Sequence, residues 1–459
     1  MKIKFCKIIN YIFAIANNTY LKPIRFFLNT NESLKQPVFR KYLIYRFALI
    51  LALNMQSTII SYFVYKITKD KLALGMLGLW EVIPAIGCSL FSGHFVDINE
   101  KKGLLVKCMI GYLLLSLFFI FLSYPSVVNN WNVHYIVWLI YFGIFIGGAL
   151  RAFISPASFA LMGMLVPRSL YTNATTWSST AWQTGAVVGP LLGGFMIAIT
   201  GFNISLSSVF IIELLALIAI FLIPKQAILK QVKEPILKSL GEGLKFVFKT
   251  QLVLAALTLD MFAVLFGGAV ALLPVYADDI LKVGELGFGW LRAAPAIGSV
   301  FTLLMLSFIP LKKNPGLKLF LCFAGFGITT ILFGYCDVLG GTQVLATICG
   351  LKISYGFIIA LTMLLAGGML DAISVVVRGV ILQTYTPDKM RGRVAAVNTM
   401  FISSSNELGA MESGITAKWM GTQTAVVFGG IMTLVVVGIT WFMAPKLRKF
   451  KLEDEKESL

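Results

Sequence analysis

Charge is scarce in this chain. Of its 459 residues, 13% are Asp, Glu, Lys or Arg, about half the share usual in a soluble domain. Histidine is scarcer still: His94 and His134 are too far apart in sequence to read as a local metal-ligand pair. Six cysteines, at positions 6, 88, 108, 322, 336 and 349, form no Cys-x-x-Cys spacing. Most lie in apolar stretches and read as small buried hydrophobes rather than redox or zinc ligands. The sequence holds no P-loop, no Gly-rich strand-turn-helix and no Gly-x-Ser-x-Gly elbow. A metal centre, a nucleotide-driven motor and a serine hydrolase all lose their usual signatures, and no cofactor is expected.

Apolar length is what the chain has. Hydrophobic residues make up 58%, and stretches of about 20 of them recur, each long enough to cross a bilayer as a helix. "FALILALNMQSTIISYFVY" (Phe47 to Tyr65) is one and "IMTLVVVGITWFMAP" (Ile431 to Pro445) ends another. In lipid the backbone must satisfy its own hydrogen bonds, which makes helices the default. Splitting at charges, Gly/Pro and polar clusters gives spans at 44–66, 73–97, 103–124, 133–156, 170–200, 204–224, 252–277, 287–311, 316–336, 350–376, 392–420 and 422–444.

The net charge of +18 sits in alternate connections: "EKKG", "PRSLY", "KQAILKQVKEPILK", "LKKNPGLK", "PDKMRGR" and the tail "KLRKFK". The positive-inside rule accounts for them better than nucleic-acid binding does, and places both termini in the cytoplasm of a cell whose inner (plasma) membrane holds the protein. "KITKDK", after the first span, departs from that rule. The start "MKIKFCKIINYIFAIANN" resembles a weak signal peptide, but "LKPIRFF" and "KQPVFRKYLIYR" add positive charge before the first long span. Residues 1–40 are therefore expected as a cytoplasmic extension with an amphipathic helix on the membrane. The remaining units expected are a bundle at 41–224, a cytoplasmic linker at 225–250, a second bundle at 251–444 and a cytoplasmic tail at 445–459. In the linker, "PILKSLGEGLKFVFKT" spaces its apolar residues as a surface helix would.

The two halves repeat. "LGLWEVIPAIG" (Leu77 to Gly87) matches "FGWLRAAPAIG" (Phe288 to Gly298), and the register carries Lys101–Lys102 onto Lys312–Lys313. "GGALRAFISPA" matches "GGMLDAISVVV", and Pro167 then falls on Pro387. Such a parallel duplication implies an all-α membrane protein, twelve transmembrane helices in two pseudo-symmetric six-helix bundles about an axis along the membrane normal.

Over about 38–444 the chain resembles the major facilitator superfamily. Gly93, Asp97, Lys101 and Lys102 fit the family's loop after the second span, although Ile98 replaces a basic residue and Glu100 a glycine. "GAVVGPLLGG" in the fifth span, with Gly185, Gly189, Pro190, Gly193 and Gly194, looks like the family's antiporter motif. Read alone it is also an ordinary stripe of small residues for close packing. The second-half run through "LRAAPAIGS" to "MRGRVAAVNTMFISSSNELG" resembles the twelve-span drug:proton antiporter branch, which includes macrolide-efflux and enterobactin-exporter-like proteins. The resemblance implies a monomeric secondary exporter that exchanges protons for an amphipathic, drug-like or siderophore-like small molecule. A solute importer or lipid flippase on the same scaffold remains open, as does a non-transporting sensor or enzyme.

Charges inside spans are costly and mark function. The candidates are Glu81, Arg151, Asp260, Arg292, Asp371, Arg378, Glu407 and Glu412, and in the resembled fold each falls on a helix that lines the cavity or the seam between halves. Glu213 is the exception and is expected at the periphery. By the repeat, Glu81 is equivalent to Arg292 and Arg151 to Asp371; such charges pair across the seam or form local ion pairs. Glu407 and Glu412 lie about 140° apart on a helix, and Glu407 is the better placed to face a cavity, where a desolvated carboxylate can exchange a proton. Three further expectations follow from the resemblance. Gly189 lets the fifth span approach the eighth. Asp97 latches onto the first turn of the eleventh span, beside Arg391 and Arg393, when the protein opens outward. No reciprocal latch forms, because Phe308 stands at the equivalent position. The alternative for Asp97 is a solvated turn whose acid offsets its lysines.

Overall fold

The computed structural model describes residues 32–225, 236–308, 314–348, 350–387 and 390–450. Gly93, and the side chains of His94, Asp97 and Arg391, lie outside the described residues. So do the expected amphipathic helix of the extension and the Lys312–Lys313 pair.

The first half runs α1 (Pro37–Thr68), α2 (Lys71–Ile98), α3 (Lys101–Leu122), α4 (Val133–Leu165) and α5 (Tyr171–Phe221). Local chemistry sets their ends. Pro37 occupies the first turn of α1, and Lys69 closes it in the left-handed region at φ 52°. Asp70 caps α2 by accepting from the Leu72 N–H at 3.0 Å, and Asn132 caps α4 by accepting from the His134 N–H at 2.9 Å. The expected fifth and sixth spans are two arms of α5, broken at Gly201, whose φ of 75° and ψ of 178° no helix contains.

The linker helix α6 (Ile236–Lys249) leads to α7 (Gln251–Phe266), α8 (Gly284–Phe308), α9 (Pro315–Gly334), α10 (Tyr355–Tyr385), α11 (Arg391–Met420) and α12 (Thr422–Met443). The span expected at 252–277 is helical to Phe266; beyond Gly267–Gly268 it continues as short turns through Tyr276–Ile280. The span expected from 350 begins instead at Tyr355. Before it lies an antiparallel hairpin, β1 (Val344–Ile348) and β2 (Leu351–Ser354), turning at Gly350 with φ 83°. A short β-branched run and a short apolar helical segment read alike by hydropathy, so sequence periodicity does not separate them.

Ten stretches among the described residues are long and apolar enough to cross a membrane, one of them the two-armed Asn173–Phe221. The 30-residue α11 is not among them, since polar side chains dilute its apolar face. At 1.5 Å per residue it is still about 45 Å long, more than a hydrocarbon core.

Contacts divide the helices into α1–α5 and α7–α12, joined chiefly by α2 on α11 and α5 on α8. The sequence repeat is visible in the packing. Gly148 of α4 lies against Glu81 and Pro84 of α2, and its counterpart Gly368 of α10 lies against Pro295 of α8. The α5 glycines divide their work. Gly185, Gly189 and Gly193 face α1, where a β-carbon on Gly189 would stand 2.7 Å from the Asn54 Cβ and 3.0 Å from the Leu51 carbonyl oxygen. The expectation that Gly189 meets the eighth span is thus corrected, because its helical phase turns it into its own half. Gly194 meets α8, with the Gly289 Cα 2.8 Å from where its β-carbon would be.

Gly189→Leu should lower the unfolding temperature through overpacking, a cost of about 1–3 kcal/mol, and leave the α5–α8 spacing unchanged. Gly194→Leu should lengthen spin-label distances between α5 and α8. Equal α5–α8 distances in the two variants would show that the division is wrong.

Candidate functional site

A central cavity of about 860 Å³ lies between the two helix sets, lined from α1, α2, α4, α5, α7, α8, α10 and α11, with side chains of α3 and α9 reaching it as well. Its wall carries Glu81, Arg151, Asp260, Arg292, Asp371, Arg378 and Glu407, together with Arg46. Glu412 is not among the lining residues. Arg46 was missed because it reads as the basic flank of the first span. Its guanidinium Nε is buried without a hydrogen-bond partner.

Two polar clusters organise the wall. In the first, Arg151 of α4 pairs with Glu81 of α2, and the same Arg151 Nη1 lies 4.0 Å from Glu407 Oε1 of α11. Arg151 is therefore shared between an acid of its own half and one of the other half. Glu407 sits at the α2–α11 seam, where its Oε2 is 3.2 Å from the β-carbon position of Gly78. Arg292 of α8 donates to Ser57 Oγ of α1 at 2.9 Å, and its charge acts on both Glu407 and Glu81. In the second cluster, Asp260 of α7 and Arg378 of α10 form a buried ion pair. Asp371, which the repeat set opposite Arg151, does not pair with it. Ser374 Oγ donates to the Asp371 backbone carbonyl at 2.7 Å and reaches its Oδ1 at 3.5 Å. Opposite charges thus pair locally in Glu81–Arg151 and Asp260–Arg378, while the seam is bridged by Arg151 to Glu407 and by Arg292 to Ser57.

Beyond these clusters the cavity closes at one end. The α2–α11 seam is tight at Gly75 against Gly414 and at Gly78 against Ala410, and the α5–α8 seam at Gly194 against Gly289. At the same end lies a latch that the sequence reading did not foresee. Lys66 Nζ is 2.7 Å from Asp278 Oδ1 and 3.8 Å from Glu285, and Lys69 pairs with Asp278 and reaches Asp279 at 3.5 Å. The hydroxyls of Tyr62 and Tyr65 donate to Asp278 and Asp279. The Asp278 carboxylate holds Lys69 above the ordinary lysine value. The clue was the "KITKDK" segment: lysines that break the positive-inside rule have acids to meet.

The expected gating residues lie at the opposite end. Lys101 is buried and its ammonium donates to the Asn99 carbonyl at 3.2 Å; Lys102 stands over the Phe221 ring at 5.2 Å. Arg393 pairs with Glu242 of the linker helix α6, and Gly243 packs on the Arg393 backbone.

The family model described as Major Facilitator Superfamily matches residues 42–368. Enterobactin exporter EntS of Shigella boydii serotype 18 (strain CDC 3083-94 / BS512) is 24% identical over 438 residues, covering 92% of this chain and 96% of that protein. The protein of the same name from Escherichia coli O1:K1 / APEC is 24% identical over 437 residues with the same coverage. Among solved structures, a D-xylose-proton symporter superposes with TM-score 0.66 at 15% identity, over 93% of this chain and 100% of that one. A POT family transporter in complex with 5-aminolevulinic acid gives TM-score 0.68 at 11% identity, over 90% and 96%.

Asp278→Asn should weaken the latch. Losing about 1–2 kcal/mol of paired charge would change the ratio of closed to open latch about 5- to 30-fold. Distances between spin labels on the ends of α1 and α8 beside the latch should gain a longer population. An unchanged distribution would remove the latch from the closure.

Proposed function

The chain belongs to the Major Facilitator Superfamily, and on that premise we propose that it is a proton-coupled exporter of an amphipathic, siderophore-like solute. It is a multi-pass membrane transporter and not an enzyme. In this reading twelve spans form two pseudo-symmetric six-helix bundles, at 41–224 and 251–444. The linker 225–250, the extension 1–40 and the tail 445–459 lie in the cytoplasm, and a monomer works in the inner membrane. The latch of Lys66 and Lys69 on Asp278 then closes the outer side, which makes the described conformation inward-open. Asp97 and the first turn of α11 are the elements that would close the cytoplasmic side in the alternate state, since a helix N-terminus attracts a carboxylate. Arg393, now held by Glu242, stands at that same turn.

The observation that carries the proposal is the sharing of Arg151 between Glu81 and Glu407 across the cavity seam. A proton on Glu407 removes its charge and weakens its hold on Arg151, so the α2–α11 contact loosens. A solute donor that engages Glu407 in place of Arg151 holds the carboxylate ionised and so competes with the proton for it. Proton and solute thus act on one bridge, as exchange by alternating access requires. Aromatic side chains at Phe119, Trp182, Phe326 and Phe333 line the cavity beside the charges, which suits a solute with both ring and ionisable groups. The volume is at the upper end of the roughly 300–1,000 Å³ range of small-molecule sites. Since the curated relatives are named enterobactin exporters, enterobactin is the first solute to test.

In proteoliposomes with an imposed pH gradient, Glu407→Gln should cut proton-driven enterobactin accumulation by about tenfold or more, the effect of losing at least about 1.4 kcal/mol. Binding should remain measurable. Gradient-driven transport at the wild-type level would overturn the assignment of Glu407. Movement of solute in the same direction as the protons would replace export by import.

A further inference from the structure

Glu213 does not belong at the periphery. It lies on the second arm of α5, fully buried against α3. Its Oε2 accepts a hydrogen bond from Ser116 Oγ at 2.6 Å, and Ser116 Oγ accepts one from Gln56 Nε2 of α1 at 2.9 Å. The other carboxyl oxygen, Oε1, is buried with no partner. Among the described residues no Lys, Arg or His stands within ion-pairing distance of Glu213. Gln56, at the far end of this chain of hydrogen bonds, lines the central cavity. An ionised carboxylate so placed is uncompensated, and burying one is costly. An apolar side chain would fill the α3–α5 interface without that cost, so the acid calls for a role.

We propose that Glu213 is a second proton-binding site, and that the Gln56–Ser116–Glu213 chain reports its protonation to the cavity wall. In the observed arrangement the hydrogen bonds run from the cavity wall toward Glu213. Gln56 gives an N–H to Ser116, Ser116 gives its O–H to Glu213, and the Gln56 carbonyl oxygen is left as the free acceptor. When a proton binds at Glu213 Oε2, that O–H donates to Ser116 Oγ. The Ser116 hydroxyl then turns to donate to Gln56 Oε1, and the amide rotates to present its NH₂ to the cavity. One proton is gained at Glu213; the two hydrogen bonds reverse direction, and no other covalent bond is made or broken. The wall changes there from acceptor to donor, so a solute oxygen is held more tightly in the protonated state.

The groups around Glu213 leave this switch intact. α1 contributes the neutral Gln56. α3 contributes Ser116 and Tyr112, whose hydroxyl donates to the Gly147 carbonyl at 2.8 Å. The site shares no residue with the Arg151–Glu407 bridge and does not rest on the role given to Glu407.

Infrared difference spectroscopy of the full-length protein in lipid, taken across a pH step, tests the proposal without a solute. The wild type should show the carbonyl stretch of a protonated carboxylic acid that Glu213→Gln removes, Glu407→Gln keeps and Ser116→Ala shifts. A side-chain amide band should move with it and vanish in Gln56→Leu. Should Glu213→Gln fold poorly, Ser116→Ala and Gln56→Leu still decide the matter through the shift and the coupled amide band. A band that survives in Glu213→Gln, or that fails to change with pH, or that is indifferent to both Ser116 and Gln56, would overturn it.

Discussion

Everything in the middle of this molecule depends on the price of charge away from water. An ion inside a span is tolerated when a partner of opposite sign is within reach or when a cavity brings water to it. Here both conditions are met in one place. Glu81 and Arg151 neutralise each other within the first helix set, and the remaining reach of Arg151 extends to Glu407 of the second. The bridge is therefore cheap to keep and sensitive to perturbation, since Glu81 retains Arg151 whenever Glu407 lets go. The pair Asp260–Arg378, buried on both sides, suits holding α7 to α10 rather than switching.

The closed end of the cavity follows a different rule. Small residues bring backbones together where the helices cross, Gly75 on Gly414 and Gly194 on Gly289. The Lys66, Lys69, Asp278 and Asp279 network then adds direction and reversibility. Dispersion contacts at glycine crossings need close geometry and vanish on separation, whereas an ion network stretches and rehydrates. The combination suits a seam that must open as a unit.

Much of this was legible in the sequence. Apolar run lengths, alternate basic loops and the repeated "PAIG" blocks led to the helical membrane fold, and the Gly93–Lys102 loop and α5 glycines led to the family. The charged residues named from their depth in the spans do line one cavity, apart from Glu412. What was not legible is what depends on helical phase and on partners distant in sequence. Gly189 sits in a motif, but its face is decided by where α1 lies. Lys66 and Lys69 looked like a violation until Asp278 came beside them, more than 200 residues away. Glu213 looked peripheral because a lone acid in an apolar helix carries no sign of Ser116 on another helix. The β1–β2 hairpin was lost because its residues are as apolar as the span that follows.

The central claim is that solute and proton act on the same carboxylate-held bridge. It is tested most directly by following pH with an indicator dye as enterobactin is added to the purified transporter in weak buffer. The account predicts proton release on binding in the wild type beyond that of Glu407→Gln, a difference that fades as pH rises and Glu407 is already deprotonated. Saturable binding with the same proton balance in both proteins at every pH would contradict it.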